Sequence, residues 1–344
     1  MRASVASFIL AAVSVSASPS LLLSVSAPAA VEDVANLKVT TTLTNTGDES
    51  VTLLKTPESV LNPFETDTFK LKSASGASPA FTGAKVKFAI DRAEQTTLAA
   101  GESVQVEHSL AGVYNLTSTG EGVYDLDASP RFHYLTEDGS IDTVLAATEP
   151  TTAHISGKLA ANVVRPSRHS SGLAKRAVGF NGCSSSQQTQ IKTAASNAVT
   201  YAANAVTYLK GISASTTRYK TWFGTYSSSN KNTVQSHYTN IGTDPTSSTY
   251  DCTCSESGTY AYVYADSPGY VYLCPVFWQA PATGTDSQAG TIVHEQSHFT
   301  VNGGTQDYVY GQSSAKSLAS SNPSEAIFNA DNHEYFAENN PAQS

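Results

Sequence analysis

Two histidines and a glutamate near the C-terminus have the spacing of a catalytic metal site. His294 and His298 are four residues apart, so on a helix both imidazoles lie on one face and can bind the same ion. Glu295 is displaced around the helix, where its carboxylate does not bind the metal but can take a proton from a metal-activated water. This H-E-x-x-H pattern predicts zinc-dependent hydrolysis. The competing interpretation is a pair of histidines on an ordinary amphipathic helix.

A catalytic zinc also needs a third protein ligand and one open position. The metzincin pattern requires glycine at position 301 and histidine at position 304, whereas this chain has Val301 and Gly304, so that pattern is excluded. A glutamate on a later helix, Glu325 or Glu334, would make a gluzincin site. Asp307 is the remaining option, because glycines after the motif let the chain turn back and bring this carboxylate under the metal.

The residues that follow the motif carry a more specific pattern. Residues 304–311 read G-T-x-D-x-x-Y-G, and together with H-E-x-x-H they resemble the deuterolysin family of fungal metallopeptidases, the aspzincins. The resemblance implies that Glu295 is the general base and that Tyr310 stabilises the oxyanion of the tetrahedral intermediate. A packing role is the alternative for Tyr310, since the chain has 17 tyrosines. The resemblance also implies one zinc ion per catalytic domain, bound by His294, His298 and Asp307.

Two acidic residues on the predicted last helix suggest a substrate preference. Asp331 and Glu334 are three residues apart and share a helix face, which is ordinarily a solvated acidic face. Within the aspzincins, however, residues 181–186, 252–254 and 329–336 are most similar to the fungal peptidyl-Lys metalloendopeptidases, which cleave on the N-terminal side of lysine. That similarity implies that both carboxylates line the S1′ pocket and bind the lysine ammonium through charge-assisted hydrogen bonds.

All four cysteines lie in the C-terminal half of the chain. An even number of cysteines in an exported chain predicts two disulfides. Cys252 and Cys254 are separated by one residue, so each is expected to pair with one of the other two cysteines. A zinc site made of four cysteines is disfavoured because the C-x2-C spacing is missing. The family resemblance implies the pairs Cys183–Cys252 and Cys254–Cys274.

Composition divides the N-terminal half into three segments. Residues 1–18 have the basic start, short apolar run and small residues of a signal peptide. Residues 19–160 predict an all-β, sandwich-like propeptide domain of short alternating strands. Residues 161–176 are a basic, Ser-rich linker that ends in the dibasic pair Lys175-Arg176, which predicts proteolytic processing; a plain linker is the alternative. The clearest strand candidates are residues 36–44, 51–54, 85–90 and 103–107.

Residues 177–344 predict a mainly helical, α+β catalytic domain of the zincin type with a small β-hairpin. An apolar stripe at helical spacing covers residues 187–209. Alternating tyrosines and aliphatic residues over 260–273 predict the hairpin. The motif lies on a helix over residues 287–298, and one further helix is expected over residues 324–339.

The charge balance excludes some classes of partner. The net charge is −9 and no long basic run occurs, which argues against nucleic acid. The apolar run at the N-terminus is too short, and too interrupted by serine and proline, to anchor a membrane. We therefore expect a secreted, extracellular monomer that acts on proteins or peptides. In such a chain, the sequon at Asn115 predicts N-glycosylation.

The propeptide contains no cysteine, so a thiol cannot be its inhibitory zinc ligand. We hypothesise that the β domain blocks the cleft or assists folding. A lysine-directed enzyme would cut its own chain before Lys175, whereas a dibasic host protease would cut after Arg176. Two other functions remain open at this point. One is a gluzincin-type or broad-specificity peptidase without lysine preference, and the other is a secreted adhesive or carbohydrate-binding protein that uses the tyrosine-rich hairpin.

Overall fold

The structure is a computed structural model that describes residues 19–163, 165 and 178–344. The predicted signal peptide and the pair Lys175-Arg176 lie outside the described residues. The described chain has a β-rich N-terminal region and a helical C-terminal region that carries its own sheet. None of the helices in these ranges is both long enough and apolar enough to cross a membrane.

The N-terminal region consists of short strands joined by turns. Most of them form three four-stranded sheets, in the orders β14-β1-β3-β9, β2-β15-β11-β5 and β13-β12-β4-β8, and β6 pairs with β10. The strands are β1 (Leu21–Ser26), β2 (Ala30–Glu32), β3 (Lys38–Asn45), β4 (Val51–Leu54), β5 (Phe69–Ser73), β6 (Ala80–Phe81), β7 (Ala84–Phe88), β8 (Gln95–Leu98), β9 (Ser103–Ser109), β10 (Tyr114–Asn115), β11 (Gly122–Ala128), β12 (Arg131–Leu135), β13 (Ile141–Leu145), β14 (Ala147–Glu149) and β15 (Thr151–Ser156).

Alternation of buried and exposed side chains gives this region a large apolar core. In β3, for example, Val39, Thr41 and Leu43 are buried while the residues between them are partly exposed, as expected for a sheet with one covered face. The same core contains side chains from all three four-stranded sheets. The predictions of an all-β region and of strands near β3, β4 and β9 are confirmed. The third four-stranded sheet makes the region larger than a simple two-sheet sandwich.

The C-terminal region packs helices around a five-stranded sheet with the order β16-β17-β19-β18-β7. Its elements are β16 (Gly179–Asn181), α1 (Ser185–Gly211), α2 (Thr217–Phe223), α3 (Ser228–Ile241), β17 (Thr249–Asp251), β18 (Thr259–Tyr264), β19 (Tyr270–Leu273), α4 (Gln288–His298), α5 (Gln312–Ser321), α6 (Pro323–Ala326) and α7 (Ala330–Glu338). Helix α1, the hairpin β18–β19 and the motif helix α4 confirm their predictions.

The expectation of one last helix over residues 324–339 is wrong. The structure has the short helix α6 and the separate helix α7, because the backbone between them bonds to the loop that follows α4. Helix α5 has no counterpart among the predictions. This helix buries only three side chains, so the sequence shows little apolar periodicity; they are Ala315, Leu318 and Ala319.

Strand β7 connects the two regions. It leaves the N-terminal β region and pairs antiparallel with β18, with Lys87 opposite Ala261 and Val86 opposite Tyr262. Residues 85–90 were predicted to form a strand within the β domain. The strand exists, but it pairs with β18 of the C-terminal region, so that part of the prediction is wrong. The predicted end of the strand is also wrong, since β7 stops at Phe88. The free edge of β18 offers unpaired backbone N–H and C=O groups, and β7 satisfies them.

Candidate active site

Helix α4 carries the H-E-x-x-H motif through the centre of the C-terminal core. Ser287 caps the helix, because its hydroxyl oxygen accepts a hydrogen bond from the backbone N–H of Gly290 at 2.9 Å. A Cβ atom at Gly290 would lie 2.1 Å from Oε1 of Glu338 and 3.0 Å from Cγ of Glu334. Glycine at this position therefore allows α7 to pack closely against α4. All residues of α4 are buried.

The structure brings His294, His298 and Asp307 together as the family resemblance implies. Oδ1 of Asp307 lies 3.2 Å from Nε2 of His294 and 3.2 Å from Nε2 of His298. Ligand atoms about 2.1 Å from a tetrahedral zinc ion are separated by about 3.4 Å, so these distances fit a shared ion. Within the described residues, none of the three atoms forms a hydrogen bond of ordinary geometry, although all are buried. Two imidazoles and one carboxylate are a donor set that suits zinc.

Polar contacts on the opposite ring nitrogens orient both imidazoles. Nδ1 of His298 lies 2.9 Å from the carbonyl oxygen of Thr305, and Nδ1 of His294 lies 2.9 Å from Oδ1 of Asp331. A proton on Nδ1 leaves the Nε2 lone pair free to bind a metal. The hydrogen bond therefore holds His298 in the tautomer that a zinc site needs, and the carboxylate of Asp331 favours the same tautomer in His294.

The loop after α4 is fixed so that Asp307 faces the helix. Gly304 takes a φ of 60°, a left-handed conformation that few other residues adopt without strain. The next segment pairs with the chain before α7: the backbone N–H of Gln306 donates to the carbonyl oxygen of Phe328 at 2.7 Å, and that of Ala330 donates to Gln306 at 3.0 Å. These bonds explain why the predicted last helix is interrupted.

The two proposed catalytic side chains lie in different surroundings. Glu295 is fully buried, and within the described chain neither of its carboxylate oxygens has a hydrogen-bond partner. Burial raises the pKa of Glu295, and the neighbouring His294 opposes that shift. Tyr310 is partly buried and packs edge-on against Phe88 of β7, with ring centroids 6.4 Å apart. Burial and the nearby charge of Asp307 raise the pKa of Tyr310, so the phenol keeps its proton.

The glutamates considered as alternative third ligands do not join the metal centre. In the described ranges, two groups of side chains have ligand atoms close enough to share an ion: His294 with His298 and Asp307, and His294 with Asp331 and Glu334. Glu334 faces Nδ1 of His294 rather than Nε2, and Glu325 belongs to neither group. The geometry therefore favours Asp307 over the gluzincin arrangement.

Asp331 and Glu334 line a buried pocket beside the metal centre, and the pocket contains a lysine. Nζ of Lys87, on β7, lies 2.7 Å from Oε2 of Glu334, 3.2 Å from Oδ1 of Asp286 and 3.7 Å from Oδ1 of Asp331. The side chains of Lys87, Asp331 and Glu334 are at most 2% exposed. Burial alone would lower the pKa of Lys87, but the carboxylates of Glu334 and Asp331 outweigh it and raise the pKa well above its usual value. The ordinary interpretation of Asp331 and Glu334 as a solvated acidic face is therefore wrong.

Comparison with known proteins identifies the family of the chain. The aspzincin family model, described as lysine-specific metallo-endopeptidase, matches residues 208–338. Peptidyl-Lys metalloendopeptidases from Grifola frondosa and Armillaria mellea are each 51% identical to the chain, over 97% and 98% of its length and 97% of their own. The chain belongs to the aspzincin family of metallo-endopeptidases. A solved zinc peptidase from Grifola frondosa is 60% identical over 47% of this chain and all of its own, with a TM-score of 0.47.

Three pocket residues of this aspzincin were not among the sequence-based candidates. Asp286 precedes α4 and accepts a hydrogen bond from the hydroxyl of Tyr335 at 2.7 Å, in addition to contacting Lys87. The rings of Tyr260 and Tyr335 lie 4.9 and 5.5 Å from Nζ of Lys87, within the range of cation–π attraction. Asp286 lies in a loop with no recognisable motif. The alternation of the hairpin could have indicated Tyr260, because it places every second side chain on one face.

Both disulfides of this aspzincin have the pairing that the resemblance implies, Cys183–Cys252 and Cys254–Cys274. The second bond closes the segment that contains β18 and ties it to the end of β19. Asn115, the predicted glycosylation site, ends β10 and is partly exposed; its side-chain oxygen accepts the backbone N–H of Thr117 at 2.9 Å.

Proposed function

We propose that the chain is the secreted precursor of a zinc endopeptidase that hydrolyses proteins on the N-terminal side of lysine. One observation carries the proposal. The buried carboxylates that enclose a lysine ammonium lie directly against His294, a residue of the cluster with zinc-ligand geometry. A lysine bound in this pocket places its own peptide bond near the metal centre. The residues that select the substrate and the residues that hydrolyse it therefore lie in the same cleft.

In this proposal His294, His298 and Asp307 hold one zinc ion. Bound zinc supplies a Lewis acid that lowers the pKa of water to about 7. The buried position of the three ligand atoms and their orientation by Thr305 and Asp331 support this assignment.

Glu295 and Tyr310 complete the proposed chemistry. Glu295 follows the first histidine on α4, and its unpartnered carboxylate takes the proton of the attacking water and delivers it to the leaving amine. Tyr310 lies three residues after Asp307, and its protonated phenol donates a hydrogen bond to the developing oxyanion. Glu295 is fully buried and Tyr310 is partly buried, which limits contact with bulk water and strengthens these interactions.

The lysine preference is assigned to Asp331 and Glu334, with support from Asp286. Two buried carboxylates that face an apolar side chain would be left without a counter-charge, whereas a lysine ammonium satisfies them. The aromatic rings of Tyr260 and Tyr335 surround the same ammonium and favour a cation over a neutral group.

Secretion and processing belong to the same proposal. Two disulfides in one small domain are typical of an oxidising compartment. We assign residues 1–18 to a signal peptide, the β region to a propeptide, Asn115 to a glycan and the pair Lys175-Arg176 to the processing site.

The test is digestion of a denatured protein with the processed, zinc-loaded enzyme, with and without a zinc chelator, followed by mapping of the cut sites by mass spectrometry. We expect cuts before lysine that disappear with the chelator. Chelator-sensitive cuts without lysine bias would keep the peptidase and reject the pocket assignment. Absence of any cut by folded, zinc-loaded enzyme would reject the proposed activity.

A further inference from the structure

Strand β7 of the N-terminal region lies in the cleft of the C-terminal region in the manner of a bound peptide. It adds to the edge of β18 in an antiparallel register, with main-chain pairing from Ala84 to Phe88. Addition of an extended segment to a free sheet edge is a common mode of peptide recognition, in which side-chain pockets give specificity. The backbone N–H of Val86 also donates a hydrogen bond to Oδ2 of Asp307 at 3.0 Å, so the strand passes directly over the metal centre.

The side chain that β7 inserts is the one that the pocket is proposed to select. Lys87 places its ammonium between Glu334, Asp331 and Asp286, while Phe88 covers the ring of Tyr310. In this register the peptide bond that precedes the pocket lysine is Val86–Lys87. The strand therefore contacts the proposed metal ligand, the oxyanion residue and the specificity pocket at the same time.

We propose that β7 is an internal pseudosubstrate, in which Lys87 occupies the S1′ pocket and keeps the precursor inactive until processing. The inference rests on the proposed function, because it assigns Lys87 to the pocket that a substrate lysine would use. The hypothesis from the sequence was that the β domain blocks the cleft, and this inference assigns the block to one specific contact.

Covalent attachment explains why this inhibition would end with processing. While the two regions are one chain, Lys87 competes with substrate at an effective concentration that is typically millimolar for a tethered segment. After cleavage between the regions, the β region can dissociate and diluted propeptide no longer competes. The buried carboxylates then lack a counter-charge, and a substrate lysine supplies it.

Lys85 offers a matched control within the same strand. It is buried like Lys87, but its ammonium bonds to the side-chain oxygen of Gln306 and lies over the ring of Phe81 instead of entering the acidic pocket. Methionine at either position keeps an unbranched side chain of similar volume and removes the ammonium group, with its charge and its hydrogen-bond donors. The two substitutions therefore separate the pocket contact from the docking of the strand.

The experiment uses the full chain with Lys175→Gln and Arg176→Gln, so that the precursor stays intact, which a mass measurement verifies. Activity is followed on a fluorogenic peptide with a single lysine. We expect Lys87→Met to raise the activity of the precursor by about 30-fold or more, since removal of one partner from a buried ion pair weakens binding on that scale. Lys85→Met is expected to change the activity less than about threefold, as for contacts outside the hot spot.

Equal activity of the parent and Lys87→Met precursors would overturn the inference, and so would an equal rise in both variants. The processed wild-type enzyme is assayed in parallel on the same peptide and on a peptide without lysine. If it shows no lysine preference, the proposed function fails. If it cuts before lysine while the Lys87→Met precursor remains inactive, only the pseudosubstrate inference fails.

A second measurement does not depend on folding of the variants. A synthetic peptide of residues 82–90 is added to the processed wild-type enzyme, and initial rates on the fluorogenic substrate are measured. We expect competitive inhibition that weakens by about 30-fold or more with Lys87→Met and by less than about threefold with Lys85→Met. Equal inhibition by all three peptides would overturn the inference.

Discussion

Oδ1 of Asp331 lies 2.9 Å from Nδ1 of His294, so one carboxylate contacts both the lysine pocket and a proposed zinc ligand. Oδ2 of the same residue accepts the backbone N–H of Gly311 at 2.6 Å, which fixes the carboxylate in place. In the proposed function, substrate selection and metal binding therefore both depend on Asp331. Glu334 lies farther from the same ring nitrogen, with its Oε2 at 3.4 Å.

We predict that Asp331→Asn and Glu334→Gln differ in zinc affinity although both reduce the preference for lysine. Loss of the charge beside His294 weakens the ligand, so Asp331→Asn should lower zinc affinity by about tenfold or more. Glu334→Gln should lower it less than about threefold, because its contact with the ring is longer. Competition of the processed enzymes against a fluorescent zinc chelator measures both values. Equal affinities would show that Asp331 does not support the metal site.

Substitution of Asp307 and Glu325 distinguishes the two proposed third ligands. Asp307→Ala removes an oxygen that lies 3.2 Å from both histidine nitrogens, so we expect the purified enzyme to lose its zinc and its activity. Glu325→Gln should keep a full equivalent of zinc, because Glu325 lies in neither group of candidate ligands within the described chain. Metal analysis by mass spectrometry measures the zinc content. A zinc-loaded Asp307→Ala enzyme would restore the gluzincin alternative.

Local sequence patterns indicated the cluster of candidate metal ligands better than they indicated the pairing of the strand that covers it. His294, Glu295 and His298 form a motif within one helix, which short-range rules recognise. The glycine turn made Asp307 one of three candidates for the third ligand, and the family resemblance selected it. The alternation around Lys87 correctly indicated a strand. Its partner β18 lies more than 170 positions later, and no local pattern specifies such a long-range pairing.

The remaining differences have similar physical causes. The predicted last helix is divided at Phe328 because its backbone carbonyl accepts a hydrogen bond from Gln306, a tertiary contact that helix propensity does not include. Asp286 lies in the pocket because of the conformation of the loop before α4, which no local sequence pattern predicts. Burial of Asp331 and Glu334 could be inferred only from family resemblance, since spacing alone indicates a solvated face.

We predict that Tyr310→Phe lowers kcat/KM without loss of zinc. Removal of one hydrogen-bond donor to an oxyanion reduces turnover by roughly 100-fold in comparable enzymes. Tyr308→Phe is the control, because Tyr308 lies in the same loop but is 45% exposed, and it should change kcat/KM by less than about threefold, as surface substitutions do. Steady-state kinetics and zinc content are measured on the processed enzymes. Unchanged kinetics in Tyr310→Phe would assign the residue to packing.

A buried histidine pair outside the set of proposed metal ligands predicts a loss of stability in acid. Nδ1 of His237 lies 3.0 Å from Nε2 of His333, with the two rings stacked, and burial lowers the pKa of His237 to about 4. In the unfolded chain this pKa is about 6.5. Between these two pKa values the unfolded state binds more protons than the folded state. The contribution of His237 to the free energy of unfolding is therefore complete above pH 6.5. That contribution is lost as the pH falls toward 4.

The variant His237→Gln tests this dependence, because glutamine keeps a hydrogen-bonding side chain but does not titrate. Urea unfolding of the processed enzyme at pH 7.0 and pH 4.5, with a chelator present in all samples, gives the free energy of unfolding of each form. We expect the wild type to lose about 2 kcal/mol more than the variant between the two pH values. His333, whose pKa burial also lowers, contributes to the loss that both forms share. An equal pH dependence in the two proteins would show that folding does not lower the pKa of His237.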